Sequence, residues 1–306
     1  MFRAFGYRSN GGPEVQEFLE LEMPSPLPGE LLVEVRAAGV NPVDWKIRSG
    51  QYGPTDPENL PGVLGSEVSG VVREVGQDVD GFTVGDEVLG TVAPGSGGYA
   101  EYTLLVADAS AAKPPNVTFT DAATLAVAGA TAYDGVTQLR LQPGQSLLIN
   151  GISGGVGVAA AQLARDLGVN VIGVAGADKQ ALVESLGATL VAKGEGVADR
   201  VRALLPDGVD AIFDLAGGES LRAIARLLTD RSKLITAGDP TTAGEVGGHL
   251  IERDRGRHVL EIVSALVADG KLDPHVEDVL DLDHAADAIA AVEAGHAKGK
   301  VVIQVT

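Results

Sequence analysis

A stretch of seven residues near the middle of the chain is rich in glycine. Residues 151–157 read GISGGVG, with the spacing GxxGxxG, and Ile152 stands where the commonest dinucleotide fingerprint has glycine. Glycine permits a tight turn and close approach to the backbone, and a helix that starts there offers free amides and a positive dipole end to an anion. The stretch is therefore a candidate site for the pyrophosphate of a dinucleotide.

The segments that flank this turn support that interpretation. The apolar run SLLIN leads into it, the helix-like VAAAQLARDLG follows, and a second apolar run, VNVIGVA, begins at Val169. A Rossmann pyrophosphate site requires strand, glycine turn, helix and strand in this order. The alternative is a glycine turn that only shapes the backbone of an α/β sheet.

The residues after the second strand normally meet the adenosine ribose and discriminate NAD from NADP. Here they are Gly176, Ala177, Asp178 and Lys179. Lys179 could pair with a 2′-phosphate, whereas Asp178 could accept from a free 2′-hydroxyl and would repel the phosphate. Because Lys179 is available, we predict NADPH as the cofactor, with NADH possible. The alternative is that Asp178 and Lys179 are ordinary charged side chains in the solvated first turn of a helix and do not contact a cofactor.

The elements that must position this site fall into two regions. Between residues 31 and 106, short valine-rich runs separated by Gly and Asp predict an all-β barrel or sandwich. Later apolar strands alternate with helices, which predicts βαβ units on a parallel sheet. Helices are predicted at 121–138, 156–167, 179–186, 199–205 and 219–228, and strands at 146–150, 169–175, 210–216 and 233–238.

Composition and charge exclude several classes of function. The chain has 42 acidic and 23 basic side chains and a formal net charge of −19, so it would repel a nucleic-acid backbone. The absence of cysteine excludes disulfides, thiolate nucleophiles and cysteine-containing zinc sites. The start has no signal-peptide pattern, and no apolar run reaches the roughly 20 residues that span a bilayer. We expect a cytoplasmic protein without nucleic-acid or membrane partners.

With these features in place, the chain resembles the zinc-independent quinone oxidoreductases, the zeta-crystallin-like branch of the medium-chain dehydrogenase/reductase superfamily. The similarity covers nearly the whole chain, and its motifs occur in the same order. They are AAGVNPVDWKIRSGQY at 37–52, PGVLGSEVSGVVREVG at 61–76, FTVGDEVLG at 82–90, GGYAEY at 97–102, AGATAYDGV at 128–136, PGQSLLINGISGGVG at 143–157 and GKVVI at 299–303.

The resemblance implies an α/β protein with a GroES-like β-barrel catalytic domain and a Rossmann domain with a doubly wound parallel sheet. The implied domains are residues 1–117, residues 118–256 and a C-terminal segment, 257–306, that returns to the catalytic domain. By pattern alone this tail, with two helices and the strand-like KVVIQVT, could instead extend the parallel sheet. The resemblance further implies an active site in the cleft between the domains and a homodimer.

Zinc-dependent relatives carry a cysteine and a histidine at the positions that correspond to Asn41 and Ser66. Neither residue is a strong zinc ligand, so we expect no metal and no Lewis acid to polarise an alcohol or aldehyde. The chemistry that remains is hydride delivery to an electrophilic acceptor. Quinones and α,β-unsaturated carbonyls qualify, because conjugation spreads the incoming charge and hydrogen-bond donors can stabilise it.

The resemblance assigns residues of both domains to the cofactor. It places Asn41 and Asp44 at the nicotinamide end, Thr131 near the cofactor amide or phosphate, Gly154, Gly155 and Val156 on the pyrophosphate, and Ala216 and Gly238 beside the cofactor at the ends of their strands. Together with Lys179, these are the predicted cofactor-binding residues.

Two residues are predicted to be catalytic, Tyr52 and Asn41. Tyr52 is at the position where enone and enoyl reductase relatives have a tyrosine that donates a proton or hydrogen bond, and a tyrosine on a surface loop is the alternative. Asn41 is expected to line the site, unless it only forms the turn before Pro42.

The leading prediction is an NADPH-dependent reductase of quinones or enones. Two alternatives remain: a dedicated enoyl reductase of a biosynthetic pathway, and a non-catalytic NADP(H)-binding protein with a structural or sensing role.

Overall fold

The computed structural model describes residues 1–228, 230–295 and 297–305. The strands are β1 Phe2–Tyr7, β2 Gln16–Leu21, β3 Glu30–Val40, β4 Gly62–Val63, β5 Glu67–Val75, β6 Glu87–Val92, β7 Tyr102–Ala112, β8 Ser146–Asn150, β9 Asn170–Ala175, β10 Thr189–Ala192, β11 Ala211–Asp214, β12 Leu234–Thr236, β13 His249–Leu250, β14 Val276–Asp281 and β15 Lys300–Gln304. The helices are α1 Pro42–Arg48, α2 Phe119–Ala122, α3 Ala130–Leu139, α4 Gly155–Asp166, α5 Gln180–Ser185, α6 Val197–Leu204, α7 Gly218–Ala225, α8 Pro240–Glu245, α9 Arg257–Ala268 and α10 Ala285–Glu293. Within these residues, no helix is both long enough and apolar enough to cross a bilayer.

The chain divides into two compact units. Unit 1 comprises Met1–Val127, Arg255–Gly270 and Pro274–Thr306, and unit 2 comprises Ala128–Asp254 and Lys271–Asp273. The domain boundaries predicted after residues 117 and 256 stay predictions.

Unit 1 is built on a sheet with the strand order β14-β15-β3-β5-β6-β7. Because β3 also pairs with β7, the strands β3, β5, β6 and β7 close on one another, and their inward-facing apolar side chains form a buried core. The strand β15 pairs antiparallel with β3, with Val301 opposite Val40. The C-terminal strand therefore returns to the first unit and does not extend the parallel sheet. A second sheet has the order β2-β1-β4.

Unit 2 contains a parallel sheet with the order β10-β9-β8-β11-β12-β13. Counted from β8, this is the 3-2-1-4-5-6 order of a Rossmann fold, in which the chain reverses its direction of progress between the first and fourth strands. All five residues of β8 are buried, as expected for a central parallel strand. The predicted α/β fold class, with a β-barrel domain and a Rossmann domain, is confirmed.

The prediction of one helix over residues 121–138 is wrong. The segment is divided into α2, a π-helical turn over Leu125–Gly129, and α3. The backbone N–H of Val127 donates to the Glu67 side chain at 2.7 Å. A side chain that captures an amide in this way competes with the regular helical hydrogen bonds and favours a π-type irregularity.

The glycine turn between β8 and α4 is held by close backbone packing. Gly151 has φ +92°, a conformation that favours glycine. A Cβ on Gly157 would lie 2.5 Å from the carbonyl oxygen of Gly151 and 2.6 Å from the Cα of Ile152. The fully buried Ile152 side chain occupies the space beside Gly173 of β9, where a Cβ would lie 2.4 Å from it. Ile152 therefore fits at this position because the adjacent strand has a glycine.

We predict that Gly157→Ala lowers the free energy of unfolding by about 1–3 kcal/mol, because its methyl group would meet backbone atoms. Gly244→Ala is the matched control, since Gly244 is an exposed residue of α8 with open space at the Cβ position. Alanine there should be neutral or stabilise by up to about 1 kcal/mol. Urea unfolding measures both, and equal stabilities would contradict the close packing of α4 on the turn.

The buried side chain of Lys300, in β15, forms hydrogen bonds with other parts of unit 1. The Lys300 ammonium donates to the Val40 carbonyl (3.1 Å), to Asn41 Oδ1 (2.6 Å) and to Glu67 Oε1 (3.0 Å). The exposed fractions of the Lys300 and Glu67 side chains are 4% and 0%. An ion pair buried this deeply is sensitive to the loss of one partner, because the remaining charge stays away from water.

Lys300→Met is therefore expected to lower the free energy of unfolding by about 3–5 kcal/mol. Lys193→Met, at an exposed lysine, is the control and should change it by less than about 0.5 kcal/mol. Thermal and urea denaturation give both values. A Lys300→Met protein as stable as the control would show that the buried pair does not hold β15 in place.

Candidate functional site

The start of α4 lies at the carboxyl edge of the parallel sheet in unit 2. Gly154 is the N-cap residue, in an extended conformation, and the hydrogen bond from Val158 N–H to the Gly154 carbonyl (2.9 Å) opens the helical ladder. The amides of Gly155 and Val156 precede that bond and lie at the positive end of the helix dipole. The structure thus brings Gly154, Gly155 and Val156 together in a geometry suited to an anion, and their role in binding stays a prediction.

Three polar residues at the ends of buried strands organise the same edge. Asn150 of β8 donates to Asp214 Oδ1 at 2.7 Å, and the Thr236 hydroxyl of β12 donates to Asp214 Oδ2 at 2.7 Å. Asp214 Oδ1 also accepts from the Gly217 amide at 2.9 Å. This network holds together the loops that follow β8, β11 and β12. The sequence alone did not predict this network, although each of the three residues is a polar end to an otherwise apolar strand.

Ala216 and Gly238, two predicted cofactor residues, lie in the loops after β11 and β12. A Cβ on Gly238 would come within 2.9 Å of the Leu215 backbone, so the two loops approach each other closely at this point. The Gly238 amide donates to the Thr236 hydroxyl at 3.1 Å. Both predicted residues thus lie at the carboxyl edge, where open α/β sheets bind their ligands.

Asp178 and Lys179 lie just after β9, in the 3-10 turn Ala177–Lys179. Their side chains form an ion pair at 3.2 Å in which Lys179 is 9% exposed and Asp178 is 69% exposed. The cation is thus mostly buried and the carboxylate faces solvent. In the sequence, Lys179 favours NADPH and Asp178 favours NADH. The structure does not resolve this choice, because the carboxylate of Asp178 is the more accessible of the two charges.

Thr131 is buried near the start of α3 and accepts a hydrogen bond from the Arg253 guanidinium. Arg253 Nε also donates to Asp134 Oδ2 at 2.9 Å. Burial raises the pKa of Asp134, and the bond and charge of Arg253 oppose that rise. Arg253 was not predicted from the sequence, and its guanidinium provides a positive charge beside Thr131.

The edge of unit 2 fits a dinucleotide. The glycines leave the space that a Cβ would take, since Gly154 has only the Gly151 carbonyl oxygen nearby, at 3.8 Å from a built Cβ. The first-turn amides supply hydrogen-bond donors for a diphosphate. The edge lies where the strand order reverses, between β8 and β11, which is the ligand-binding position of such sheets.

In unit 1, Asp44 is the centre of a buried hydrogen-bond cluster. Its Oδ1 accepts from the Ser66 hydroxyl at 2.5 Å, and its Oδ2 accepts from the Tyr99 hydroxyl at 2.7 Å and from the backbone N–H of Asn41 at 2.8 Å. Asn41 is the N-cap residue of α1, and Asp44 lies in its first turn. The helix start therefore brings Asn41 and Asp44 together, whereas Ser66 and Tyr99 come from other parts of unit 1.

The environment of this cluster changes its acidity. Burial raises the pKa of Asp44 to about 6, although the bonds from Ser66, Tyr99 and Asn41 and the charge of Lys300 act in the opposite direction. Burial and the adjacent Asp44 carboxylate raise the pKa of the Tyr99 hydroxyl well above its usual value. Asp44 can therefore exchange a proton near neutral pH, whereas Tyr99 remains a hydrogen-bond donor.

The side chain of Asn41 is held on both sides. Its Nδ2 donates to Glu67 Oε1 at 2.8 Å and to the Gly39 carbonyl at 3.3 Å, and its Oδ1 accepts from Lys300. Asn41 is 4% exposed. These bonds fix the side-chain amide of Asn41 in one orientation.

A cavity of about 230 Å³ opens beside the cluster, entirely within unit 1. Asp44 and Ser66 line it together with Tyr7, Thr55 and Ile47, among others. Its wall is thus partly apolar and carries several hydroxyl groups.

Tyr52, the predicted proton donor, does not line this cavity and is 65% exposed. Tyr7 does line it, and its hydroxyl is 2.9 Å from Thr55 Oγ1. The role predicted for Tyr52 remains a prediction.

The positions of Asn41 and Ser66 are occupied by hydrogen-bonding side chains that are already committed to neighbours in the protein. Over residues 1–228, 230–295 and 297–305, no group of three or more His, Asp or Glu side chains is arranged to hold a metal ion.

Comparison with known proteins shows the family of this chain. An alcohol dehydrogenase GroES-like domain matches residues 27–115, and a zinc-binding dehydrogenase domain matches residues 186–303. The chain is 30% identical to a chloroplastic quinone-oxidoreductase of Triphysaria versicolor, over 99% of this chain and 98% of the relative. It is 33% identical to a chloroplastic NADPH-dependent alkenal/one oxidoreductase of Arabidopsis thaliana, over 98% of this chain and 79% of the relative.

The solved structures agree with these matches. The Escherichia coli quinone oxidoreductase complexed with NADPH has a TM-score of 0.88 and 26% identity, over 99% of each chain. The chain therefore belongs to the quinone oxidoreductase, or zeta-crystallin-like, branch of the medium-chain dehydrogenase/reductase superfamily.

Proposed function

We propose that this protein is an NADPH-dependent reductase of quinones or α,β-unsaturated carbonyl compounds. The observation that carries the proposal is the start of α4, where the Gly155 and Val156 amides lie at the switch point of a parallel sheet. Relatives named as quinone and NADPH-dependent alkenal/one oxidoreductases support the reaction class, and a related structure complexed with NADPH supports the cofactor.

In this proposal the residues of unit 2 bind the polar groups of the cofactor, which are its phosphates, its ribose and its amide. Gly154, Gly155 and Val156 hold the pyrophosphate, and Ala216 and Gly238 let the cofactor pass close to the loop backbone. Thr131 with its Arg253 partner, and Lys179 near the adenosine ribose, add contacts to amide or phosphate groups. Short-range donors matter here because the net charge of −19 repels an anionic cofactor at long range.

When bound, the reduced nicotinamide supplies a hydride to the acceptor. The chain must orient that acceptor, exclude water and stabilise the negative charge that forms on its oxygen. Asn41 and Asp44 belong to the nicotinamide end in this proposal, and the family resemblance offers Tyr52 as one candidate for the donor. The cavity lined by Asp44 and Ser66 is the proposed acceptor site.

The proposal includes a cytoplasmic homodimer that needs no metal. The family resemblance supports the dimer.

Purified protein is predicted to oxidise NADPH when simple quinones or enones are added, with unchanged rates after treatment with a chelator. Absorbance at the nicotinamide band gives the rate. NADPH binding without turnover across a broad panel of both acceptors would favour the non-catalytic alternative. Turnover confined to carrier-linked enoyl substrates would favour the dedicated enoyl reductase.

Cofactor preference is predicted to depend on the Asp178–Lys179 pair. Lys179→Ala should weaken NADPH binding by about tenfold and NADH binding much less, since it removes a cation from the 2′-phosphate. Asp178→Ala should strengthen NADPH binding, because it removes an exposed carboxylate that repels the phosphate. Fluorescence titration of both cofactors measures these changes.

Lys271→Ala, at an exposed lysine of unit 2, is the matched control and should leave both affinities unchanged. Unchanged NADPH binding in Lys179→Ala, together with weakened NADH binding in Asp178→Ala, would reverse the proposed preference.

A further inference from the structure

The cavity wall in unit 1 carries a carboxyl group with two hydroxyl partners, one of which belongs to a residue that lines the cavity. Ser66 Oγ lies 2.5 Å from Asp44 Oδ1, and Ser66 is one of the residues that line the cavity. The Tyr99 hydroxyl lies 2.7 Å from Asp44 Oδ2, and Tyr99 is fully buried. Ser66 is half-buried. A molecule in the cavity can therefore meet the Ser66 hydroxyl, which in turn touches a carboxyl that is almost wholly shielded from water.

We propose that Ser66 and Asp44 form a proton-donating couple, in which the Ser66 hydroxyl protonates the oxygen of the reduced acceptor and Asp44 replaces that proton. This inference rests on the proposed function and assigns the acid for it. It differs from the sequence-based prediction, which gave the donor role to the exposed Tyr52.

The proton transfer balances without any further reactant. Addition of the hydride leaves an electron pair and a negative charge on the carbonyl oxygen of the acceptor. The Ser66 O–H bond breaks as a new O–H bond forms on that oxygen, and the proton of the Asp44 carboxyl moves to Ser66 Oγ. The products are a hydroquinone or an enol and an Asp44 carboxylate, which takes a proton from water before the next turnover.

The charged groups around Asp44 suit this role. Tyr99, Lys300 and, behind them, Glu67 are the titratable side chains that face it from the neighbouring segments. Burial keeps the pKa of Asp44 at about 6, so part of the population carries the proton at neutral pH. Once the proton has left, the bonds from Ser66, Tyr99 and the Asn41 amide stabilise the carboxylate.

Tyr99 is a positioning residue in this scheme, because it touches Asp44 and does not line the cavity. Its hydroxyl donates to the Asp44 carboxylate and therefore favours the ionised form. Removal of that hydroxyl should make Asp44 a weaker acid. The effect would appear as a shift of a pH profile, which a residue that only fills space would not produce.

The test compares steady-state kinetics of wild type, Ser66→Ala, Ser66→Thr and Asp44→Asn with a saturating quinone or enone acceptor. Ser66→Ala and Asp44→Asn should lower kcat by about 10²-fold or more, the usual contribution of a general acid. In Ser66→Ala, KM for the acceptor and the affinity for NADPH should change little. Ser66→Thr, which keeps a hydroxyl, should recover most of the rate. Because Asp44→Asn also alters the start of α1, Ser66→Ala provides the decisive comparison if that variant misfolds.

The pH profile gives a second readout. In wild type kcat should be constant below about pH 6 and fall by about tenfold per pH unit well above it, because Asp44 must be protonated. In Tyr99→Phe the fall should begin at a higher pH.

Three results would overturn the proposal: a kcat of Ser66→Ala equal to that of wild type, a wild-type profile that stays flat through pH 6, or loss of rate in Tyr52→Phe but not in Ser66→Ala. All three presuppose turnover by the wild type. Absence of that turnover would instead contradict the proposed function itself, so the two failures are distinguishable.

Discussion

A chain with a net charge of −19 can hold a diphosphate only through contacts that act at short range. The beginning of α4 meets this constraint with backbone amides, whose dipoles do not depend on the net charge of the protein. The fold around it serves the same requirement. Gly151 turns the chain, Gly157 lets the helix pack on that turn, and Gly173 makes room for Ile152. These close contacts keep the amides at the edge of the sheet where the strand order reverses.

The site in unit 1 is organised differently. Its charged side chains are buried away from water and form ion pairs and hydrogen bonds with one another. Lys300 and Glu67 are paired in the interior, and both are bonded to Asn41. In front of them Asp44 is surrounded by hydroxyl and amide donors. The same arrangement that fixes these side chains also shifts the acidity of Asp44 toward neutrality. The fixed positions of these side chains and the raised pKa of Asp44 therefore have the same cause. Burial makes the charged form of a carboxyl less favourable, and the hydrogen bonds to it offset part of that penalty.

Much of the fold was predictable from local patterns. The glycine turn and the strands around it lie within residues 146–175, and parallel strands buried on both faces have an apolar sequence that is easy to recognise. Strands such as β14, with the sequence VEDVLD, are largely exposed and lack that signal, and sequence analysis did not predict them. The helix predicted over residues 121–138 is interrupted because Glu67, 60 residues away from Val127, captures an amide.

Local spacing could predict the candidate site only where its residues are neighbours in sequence. Asn41 and Asp44 share one helix start, and residues 154–156 share one turn. In contrast, Lys300 meets Asn41 across 259 positions, and Tyr99 meets Asp44 across 55. No local spacing marks such contacts, since they arise from the pairing of β15 with β3 and from the closure of the barrel. Tyr52 was chosen by its position in a motif, whereas exposure and cavity lining are properties of the folded chain.

Isothermal titration calorimetry with NADPH and NADH tests the central claim most directly. The account predicts saturable binding with one site per chain. It also predicts that Gly154→Val, whose side chain would fill the open space at the glycine turn, weakens that binding by at least about tenfold while the protein remains folded. A wild-type protein that gives no heat with either nucleotide over a range of temperatures, or a Gly154→Val variant that binds as tightly as wild type, would contradict the account.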